Sequence, residues 1–241
     1  MNGIMEKFCA QTAGQRMDRP LKIAFLGDSV TEGCFETWEE NGQFKNICDA
    51  QSVYHAQLKR MLEIVFPQYP VTVINAGIGG DNAAGGLSRV QKDVIDRAPD
   101  IAVVCYGLND VHGGMVALES YQKTLSLLLG RLKSGGIWTI FMTPNMMCTS
   151  VWPEFPAGEM CPKAAAACCR FQNEGIMDLY VEGAKQVCRE NAVEVCDCYA
   201  DWKKFYENGA DIASLLANHI NHPTREMHAL FAARLFEMLV L

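Results

Sequence analysis

Leu21-Lys22-Ile23-Ala24-Phe25-Leu26-Gly27-Asp28-Ser29-Val30-Thr31-Glu32-Gly33 is an apolar run that stops at a small, polar turn around Ser29. Residues 21–26, rich in Ile, Leu and Phe, suit an inner strand of a parallel sheet, and Gly27 ends the run where the backbone must turn. Ligands of open α/β sheets bind at the carboxyl ends of such strands. A hydroxyl there is well sited to be a nucleophile, although Asp28 and Ser29 would equally serve to cap or brace the turn.

Outward from that strand the chain alternates. Residues 32–48 are polar and glycine-punctuated and read as a long loop whose Phe35, Trp38 and Phe44 either wall a pocket or pin the loop. Helical spacing of apolar residues predicts a helix from about 50 to 66, stopped by Pro67. A second strand is expected at 71–75, ended by Ala-Gly-Ile-Gly-Gly-Asp-Asn at 76–82, then a helix at 87–95 and a third strand at 101–106. Val116 to Leu132 form an amphipathic helix closed by Gly135 and Gly136, before a fourth strand at 137–142. The segment 143–173, with Pro144, Pro153, Pro156, Pro162 and Trp152, exceeds an ordinary connection and reads as a substrate-covering insertion holding a short helix at 164–169. A helix at 174–190, a fifth strand at 193–198 and a closing helix at 224–241 complete the pattern. Strand and helix alternating in this way predict one domain over 1–241, a three-layer α/β/α sandwich around a parallel sheet.

Composition narrows the partners. A formal net charge of -7, without a cluster of Lys and Arg, argues against nucleic acid or an anionic membrane surface. Met1–Pro20 lacks the continuous apolar core of a signal peptide, and no later run approaches a membrane span. Eleven cysteines, an odd number without a Cys-x-x-Cys pair, read as reduced thiols of a cytoplasmic protein. No histidine has finger-like spacing, so neither a metal nor another cofactor is expected. The expected partner is a small molecule; oligomeric state is not legible.

A parallel sheet brings the ends of its strands to one edge. Ser29 follows the first strand, Gly80 the second and Asn109 the third, while His222 precedes the last helix. A nucleophile, donors for an oxyanion and a base are what ester hydrolysis requires. Gly27-Asp28-Ser29, Gly79-Gly80-Asp81, Gly107-Leu108-Asn109-Asp110 and Asn221-His222-Pro223, in this order, resemble the four blocks of the SGNH hydrolases, the GDSL-like lipase and esterase family. The resemblance implies a flavodoxin-like sheet of about five strands in the order 2-1-3-4-5. It also implies Ser29 as nucleophile, His222 as base, and an oxyanion hole made of the Ser29 and Gly80 amides and the Asn109 side chain. Gly80 would let its N–H approach the substrate closely. Asp28, His112 and Trp152 are candidate substrate contacts; Asp28, with Asp81 and Asp110, also reads as a turn-bracing acceptor. His55 and His228 read as packing or surface residues.

One departure stands out. Family members usually carry Asp three residues before the histidine, and here that position is His219. The triad acid fixes the imidazole tautomer, and its loss from a serine protease costs about 10⁴ in turnover. A backbone carbonyl, the Asn218 side-chain oxygen or the more distant Asp211 would each serve as the missing acceptor; His219 itself is a further candidate for orienting the base. Two rival folds lack their signatures: there is no Gly-x-Gly-x-x-Gly or Gly-x-x-x-x-Gly-Lys-Ser/Thr loop, and Gly27-x-Ser29-x-Thr31 lacks the second glycine of a nucleophile elbow. The expected function is a serine esterase acting on a short acyl or O-acetyl group of a small soluble substrate such as a carbohydrate. The alternatives are a thioesterase or lysophospholipase-type acylhydrolase, and a non-catalytic binding protein on the same fold.

Overall fold

β1 (Leu21–Gly27) lies at the centre of the sheet, and all but Lys22 of its residues are buried. It pairs in parallel with β4 (Val71–Gly77) on one side and β5 (Ile101–Cys105) on the other. β6 (Trp138–Met142) and β7 (Glu194–Cys196) extend the sheet, giving the order β4-β1-β5-β6-β7. Counting only these strands, the order is 2-1-3-4-5, the expected flavodoxin-like arrangement. The computed structural model describes residues 20–155 and 158–240. The reading of residues 1–19 therefore lies outside the described residues, as does Leu241.

The helices divide between the two faces. α2 (Tyr54–Val65) packs on α8 (Arg225–Val240), while α4 (Leu118–Ser134) lies between α3 (Ala83–Asp93) and α6 (Ile176–Glu190). Tyr121, Leu125, Leu128, Leu129 and Leu132 form the buried stripe of α4, the i, i+4, i+7 pattern that its sequence announces. On the opposite face His228, Phe231, Ala232, Leu235 and Leu239 bury the closing helix. His228 and His55 are both buried, so their role is packing.

Three segments differ from expectation. Residues 34–48 form an antiparallel hairpin, β2 (Cys34–Glu40) and β3 (Gln43–Cys48), where a loop was expected. Asn41 (φ 53°) and Gly42 (φ 69°) make its two-residue turn, and Asn-Gly is favoured there because both central residues need positive φ. In the segment 143–173, Thr143–Cys148 is buried interior chain, followed after residue 159 by a full helix, α5 (Met160–Asn173). Pro162 falls in its first turn, where proline is tolerated. Finally, α7 (Cys198–Glu207) follows β7 at once, capped by Asp197, whose side chain accepts from the Ala200 N–H. Its buried Cys198, Tyr199 and Trp202 keep helical spacing, and the helix begins at Cys198, inside the span expected for the fifth strand.

Candidate active site

Ser29 opens a four-residue helix, α1 (Ser29–Glu32), directly after β1. The Asp28 carboxylate caps it by accepting from the Val30 N–H at 3.0 Å, and Gly33 closes it at φ 101°. This turn fits because two glycines make room. A Cβ on Gly27 would lie 2.2 Å from Thr31 Oγ1, and one on Gly77 would lie 2.1 Å from the Glu32 nitrogen. The serine is thus held at the sheet edge by backbone packing. It is 8% exposed, open only toward a cavity.

His222 comes to Ser29 from the far end of the chain. Its Nε2 lies 2.8 Å from Ser29 Oγ, and its Nδ1 lies 3.0 Å from the main-chain oxygen of Phe35. A carbonyl oxygen can only accept, so Nδ1 carries the proton and Nε2 presents its lone pair to the serine hydroxyl. The acceptor that stands where a triad carboxylate would stand is therefore the Phe35 carbonyl, on β2. Phe35 is fully buried, its ring between the Arg225 guanidinium at 4.4 Å and the His228 ring at 4.9 Å, which fixes the carbonyl. Arg225 is itself anchored on Glu36 and Asp49. Burial pulls the His222 imidazole down to about 4, partly offset by the Phe35 hydrogen bond.

None of the three side chains considered for orienting the base reaches Nδ1. Asn218 works on the main chain: its Oδ1 accepts from the N–H groups of Ile220, Asn221 and His222, each at 2.9 Å, and its Nδ2 donates to Thr37 Oγ1 and Asn221 Oδ1. It shapes the loop that delivers the histidine. His219, at φ 54°, is turned to other partners, with Nδ1 3.0 Å from the Ala213 carbonyl and its ring stacked on Trp152 at 4.1 Å. Asp211 caps a short 3₁₀ turn by accepting from the Ala213 N–H. Short local bonds have claimed all three.

The groups expected to donate to an oxyanion line the same cavity as Ser29 Oγ. Gly80 adopts φ 75°, and a Cβ there would meet nothing within 4 Å, so its glycine is required by backbone conformation rather than by crowding from the protein. Asn109 donates one Nδ2–H to the Asp81 carbonyl at 2.8 Å, which orients the amide and leaves its second N–H for a ligand. Among the described residues neither the Ser29 nor the Gly80 main-chain N–H donates to a protein acceptor. Arg89 locks these loops together. It pairs with Asp81 at 2.6 Å and donates to the carbonyls of Ala76 and Gly27 and to the Tyr106 hydroxyl. Asp110 accepts from the Ala83 N–H. Asp28, Asp81 and Asp110 thus brace turns. Burial pushes the Asp28 carboxyl up to about 7, the Val30 bond opposing and the Asp110 and Asp81 charges adding to the rise.

Ser29, Gly79, Gly80, Asn109 and His222 open on a cavity of about 420 Å³. His112 lines it, as expected, and its ring meets Phe171 edge to face at 5.3 Å. Two other expected contacts are absent from its wall. Asp28 is 1% exposed beneath the turn, and Trp152 packs on His219 and Phe155. The wall instead includes Thr37, Phe44 and Asn46 from the hairpin and Ala164 and Cys168 from α5. The hairpin residues were hidden in an expected loop, although Asn41-Gly42 signals the turn that creates it. Among the described residues Glu32, Cys34 and Cys48 bring three potential metal donor atoms within 4.8 Å of one another, beside the site rather than in it.

A model of the GDSL-like Lipase/Acylhydrolase family matches residues 25–230, which include Ser29, Gly80, Asn109 and His222. The chain belongs to that family. Among curated relatives, this GDSL-like chain is 30% identical to an acetylxylan esterase of Geobacillus stearothermophilus over 132 residues, 51% of this chain and 59% of that one. It is 26% identical to an arylesterase of Vibrio mimicus over 135 residues, 56% and 58% of the respective chains. The matches thus span somewhat over half the length of these relatives. In solved structures the same fold recurs in an acetylxylan esterase from Geobacillus stearothermophilus, with TM-score 0.67, 23% identity and coverage of 94% and 97%. A lipase/acylhydrolase from Enterococcus faecalis gives TM-score 0.65, 23% identity and coverage of 90% and 93%.

Proposed function

We propose that this GDSL-family chain is a serine esterase that removes a short acyl group, in the first instance acetyl, from a small carbohydrate ester. The observation that carries the reading is the relay from Ser29 Oγ to His222 Nε2 at 2.8 Å, continued from Nδ1 to the Phe35 carbonyl at 3.0 Å. Ser29 Oγ attacks the ester carbonyl carbon and gives its proton to Nε2. The negative oxygen of the tetrahedral adduct accepts from the Ser29 and Gly80 N–H groups and the free Asn109 N–H. Collapse breaks the bond to the alcohol, which leaves with the proton from Nε2. Water, deprotonated by the same nitrogen, then releases the acid and restores the serine hydroxyl.

A carbonyl carries a partial charge where a carboxylate carries a full one, so it stabilises the imidazolium less. The base is correspondingly weak, but its lone pair is present at all physiological pH values. The cavity lies within the range of small-molecule sites, and Phe44 with Asn46 and Asn221 supplies a ring face and amide groups suited to a sugar. The name of the Geobacillus relative, acetylxylan esterase, supports the same substrate class. Ala164 and Cys168 in the cavity wall support a reading of α5 as the cover of the acyl or alcohol part. No helix among the described residues is long and apolar enough to cross a membrane. The cytoplasm is the compartment we propose, because ten described cysteines are free thiols.

The test compares acetate release from p-nitrophenyl acetate and from acetylated xylo-oligosaccharides by wild type, Ser29→Ala and His222→Ala. We expect both substitutions to abolish turnover and a fluorophosphonate to label Ser29 in the wild type. Wild-type turnover matched by Ser29→Ala, or no labelling, overturns the esterase. Turnover of the phenyl ester without any release from the oligosaccharides overturns the substrate class alone.

A further inference from the structure

We propose that Cys34 and Cys48 form a redox-responsive pair that closes into a cross-strand disulfide and locks the β2–β3 hairpin against the active site. The two residues face each other directly in the antiparallel register. The flanking bond runs from the Asp49 N–H to the Gly33 carbonyl, which makes Cys34 and Cys48 a non-hydrogen-bonded pair, the kind whose side chains approach most closely. Their sulfurs already lie 3.1 Å apart. Opposed residues of a non-hydrogen-bonded pair have Cα atoms about 4.5 Å apart, at the short end of the span a disulfide bridges.

Access separates this pair from the others. Cys48 is exposed and Cys34 is 1% exposed, so one thiol meets the solvent and the other waits behind it. Cys148 and Cys169 are also close, at 3.2 Å, but both are buried. The co-reactant is a low-molecular-weight disulfide of the glutathione type. Cys48 gives up its proton to water and its thiolate attacks one of the co-reactant's sulfurs, forming a mixed disulfide and expelling a small thiolate, which takes a proton back from water. Cys34 Sγ then attacks the Cys48 sulfur, and its proton leaves on the second small thiol, with the Glu32 carboxylate, whose Oε2 lies 3.5 Å from Cys34 Sγ, beside the path of that proton. Two protein thiols are oxidised and one small disulfide is reduced to two thiols, which balances the exchange.

The same three side chains are a conceivable zinc set, but the geometry favours the covalent link. Two thiolates on a tetrahedral zinc, each about 2.3 Å from the ion, stand about 3.8 Å apart, so binding would have to spread the pair. The lock matters because of what the hairpin carries. Phe35, the residue after Cys34, supplies the carbonyl on His222, and Asn46, two residues before Cys48, lines the cavity. The ladder is irregular between Cys34 and Thr37, so the hairpin is least supported where the link would form. Any effect of the link on turnover rests on the reading of Ser29 and His222 as the reacting pair; formation of the link does not.

The full chain is incubated with excess oxidised glutathione, alkylated, and mapped by mass spectrometry without reduction, alongside Cys34→Ala and Cys48→Ser. We expect a Cys34–Cys48 linked peptide in the wild type only, reversed by dithiothreitol. We also expect a Tm rise of about 6–12 °C from closing a ring of about 15 residues. Arrest at a glutathione adduct on Cys48, or a link between Cys148 and Cys169 instead, overturns the proposal. So does stoichiometric zinc binding that shields both thiols from oxidation, and a link without a Tm rise overturns the lock. Because the wild-type map is decisive by itself, a variant that fails to fold does not remove the test. Between the two midpoints the oxidised form should retain p-nitrophenyl acetate turnover that the reduced form loses. If both forms are inactive at every temperature while the link forms, the esterase reading fails and the disulfide stands.

Discussion

Protonation of His222 offers the most direct measure of what replaces the missing carboxylate. With burial holding this imidazole near 4 and only a carbonyl opposing it, the free base persists far into acid. At pH 5.5 a group titrating at 4 is about 97% unprotonated, whereas one at the ordinary 6.5 is about 9% unprotonated. Activity needs the unprotonated form, so kcat/KM for p-nitrophenyl acetate should stay flat from pH 7 to about 5 and fall tenfold per unit only below about 4. An imidazole at the ordinary value would already have lost about tenfold at pH 5.5. The rate is read from initial velocities in overlapping buffers, with return to pH 7 after each incubation to detect unfolding. Asp28, raised to about 7, titrates nearby and caps the helix that begins at Ser29. Asp28→Asn keeps an oxygen for the Val30 N–H and removes this titration, so any inflection near 7 should vanish in the variant while the acid limb near 4 persists. A limb between 6 and 7 that survives in Asp28→Asn would refute the account of how the base is held.

Asn109→Ala removes the one side-chain oxyanion donor, and kcat should fall about 10²–10³-fold with KM little changed; an unaltered kcat would take Asn109 out of the oxyanion hole. His219→Asp restores the family residue in sequence, yet Nδ1 is already satisfied by Phe35 and position 219 faces Trp152 and Ala213. No gain approaching the ~10⁴ ascribed to a triad acid is expected, and a rise of more than tenfold, with the acid limb moving upward, would contradict this geometry. Acid should also weaken the fold. Burial depresses His55 and His222 to about 4 and His228 to about 3, so the stability these groups confer is complete above about pH 6.5 and is lost as pH falls toward 4. Asp28 and Asp110, raised chiefly by burial to about 7 and about 6, act in the opposite sense, with a contribution present below about pH 4 and lost as pH rises through those values. Near pH 5 the three imidazoles outweigh the two carboxyls by roughly one proton, so unfolding free energy from these groups should drop by about 1.4 kcal/mol per unit between pH 6 and 5. Urea midpoints that rise over that interval would show the balance to be reversed.

The parallel sheet and the places of Ser29, Gly80, Asn109 and His222 at strand ends or before the last helix were legible from local signals, whereas the order of the strands came only with the resemblance to the SGNH hydrolases. An apolar run with a turn after it marks a buried strand wherever it occurs, and parallel strands must deliver their ends to one edge. The hairpin was legible in part: Asn41-Gly42 specifies its turn, but β3 is polar and largely exposed and β2 is buried only at Cys34 and Phe35, so no apolar alternation marks the strands. What orients His222 could not be read at all. Its acceptor is a main-chain carbonyl 187 residues away, and every residue has one. The polar side chains near His222 in sequence, Asn218, His219 and Asp211, are held by their own turns, and the one side chain that does approach Nδ1, Thr37 Oγ1 at 3.4 Å, is likewise remote in sequence. Packing of the Phe35 ring against Arg225 and His228 makes that carbonyl the partner, a decision that belongs to the tertiary structure because it needs β2, α8 and the His222 loop assembled together.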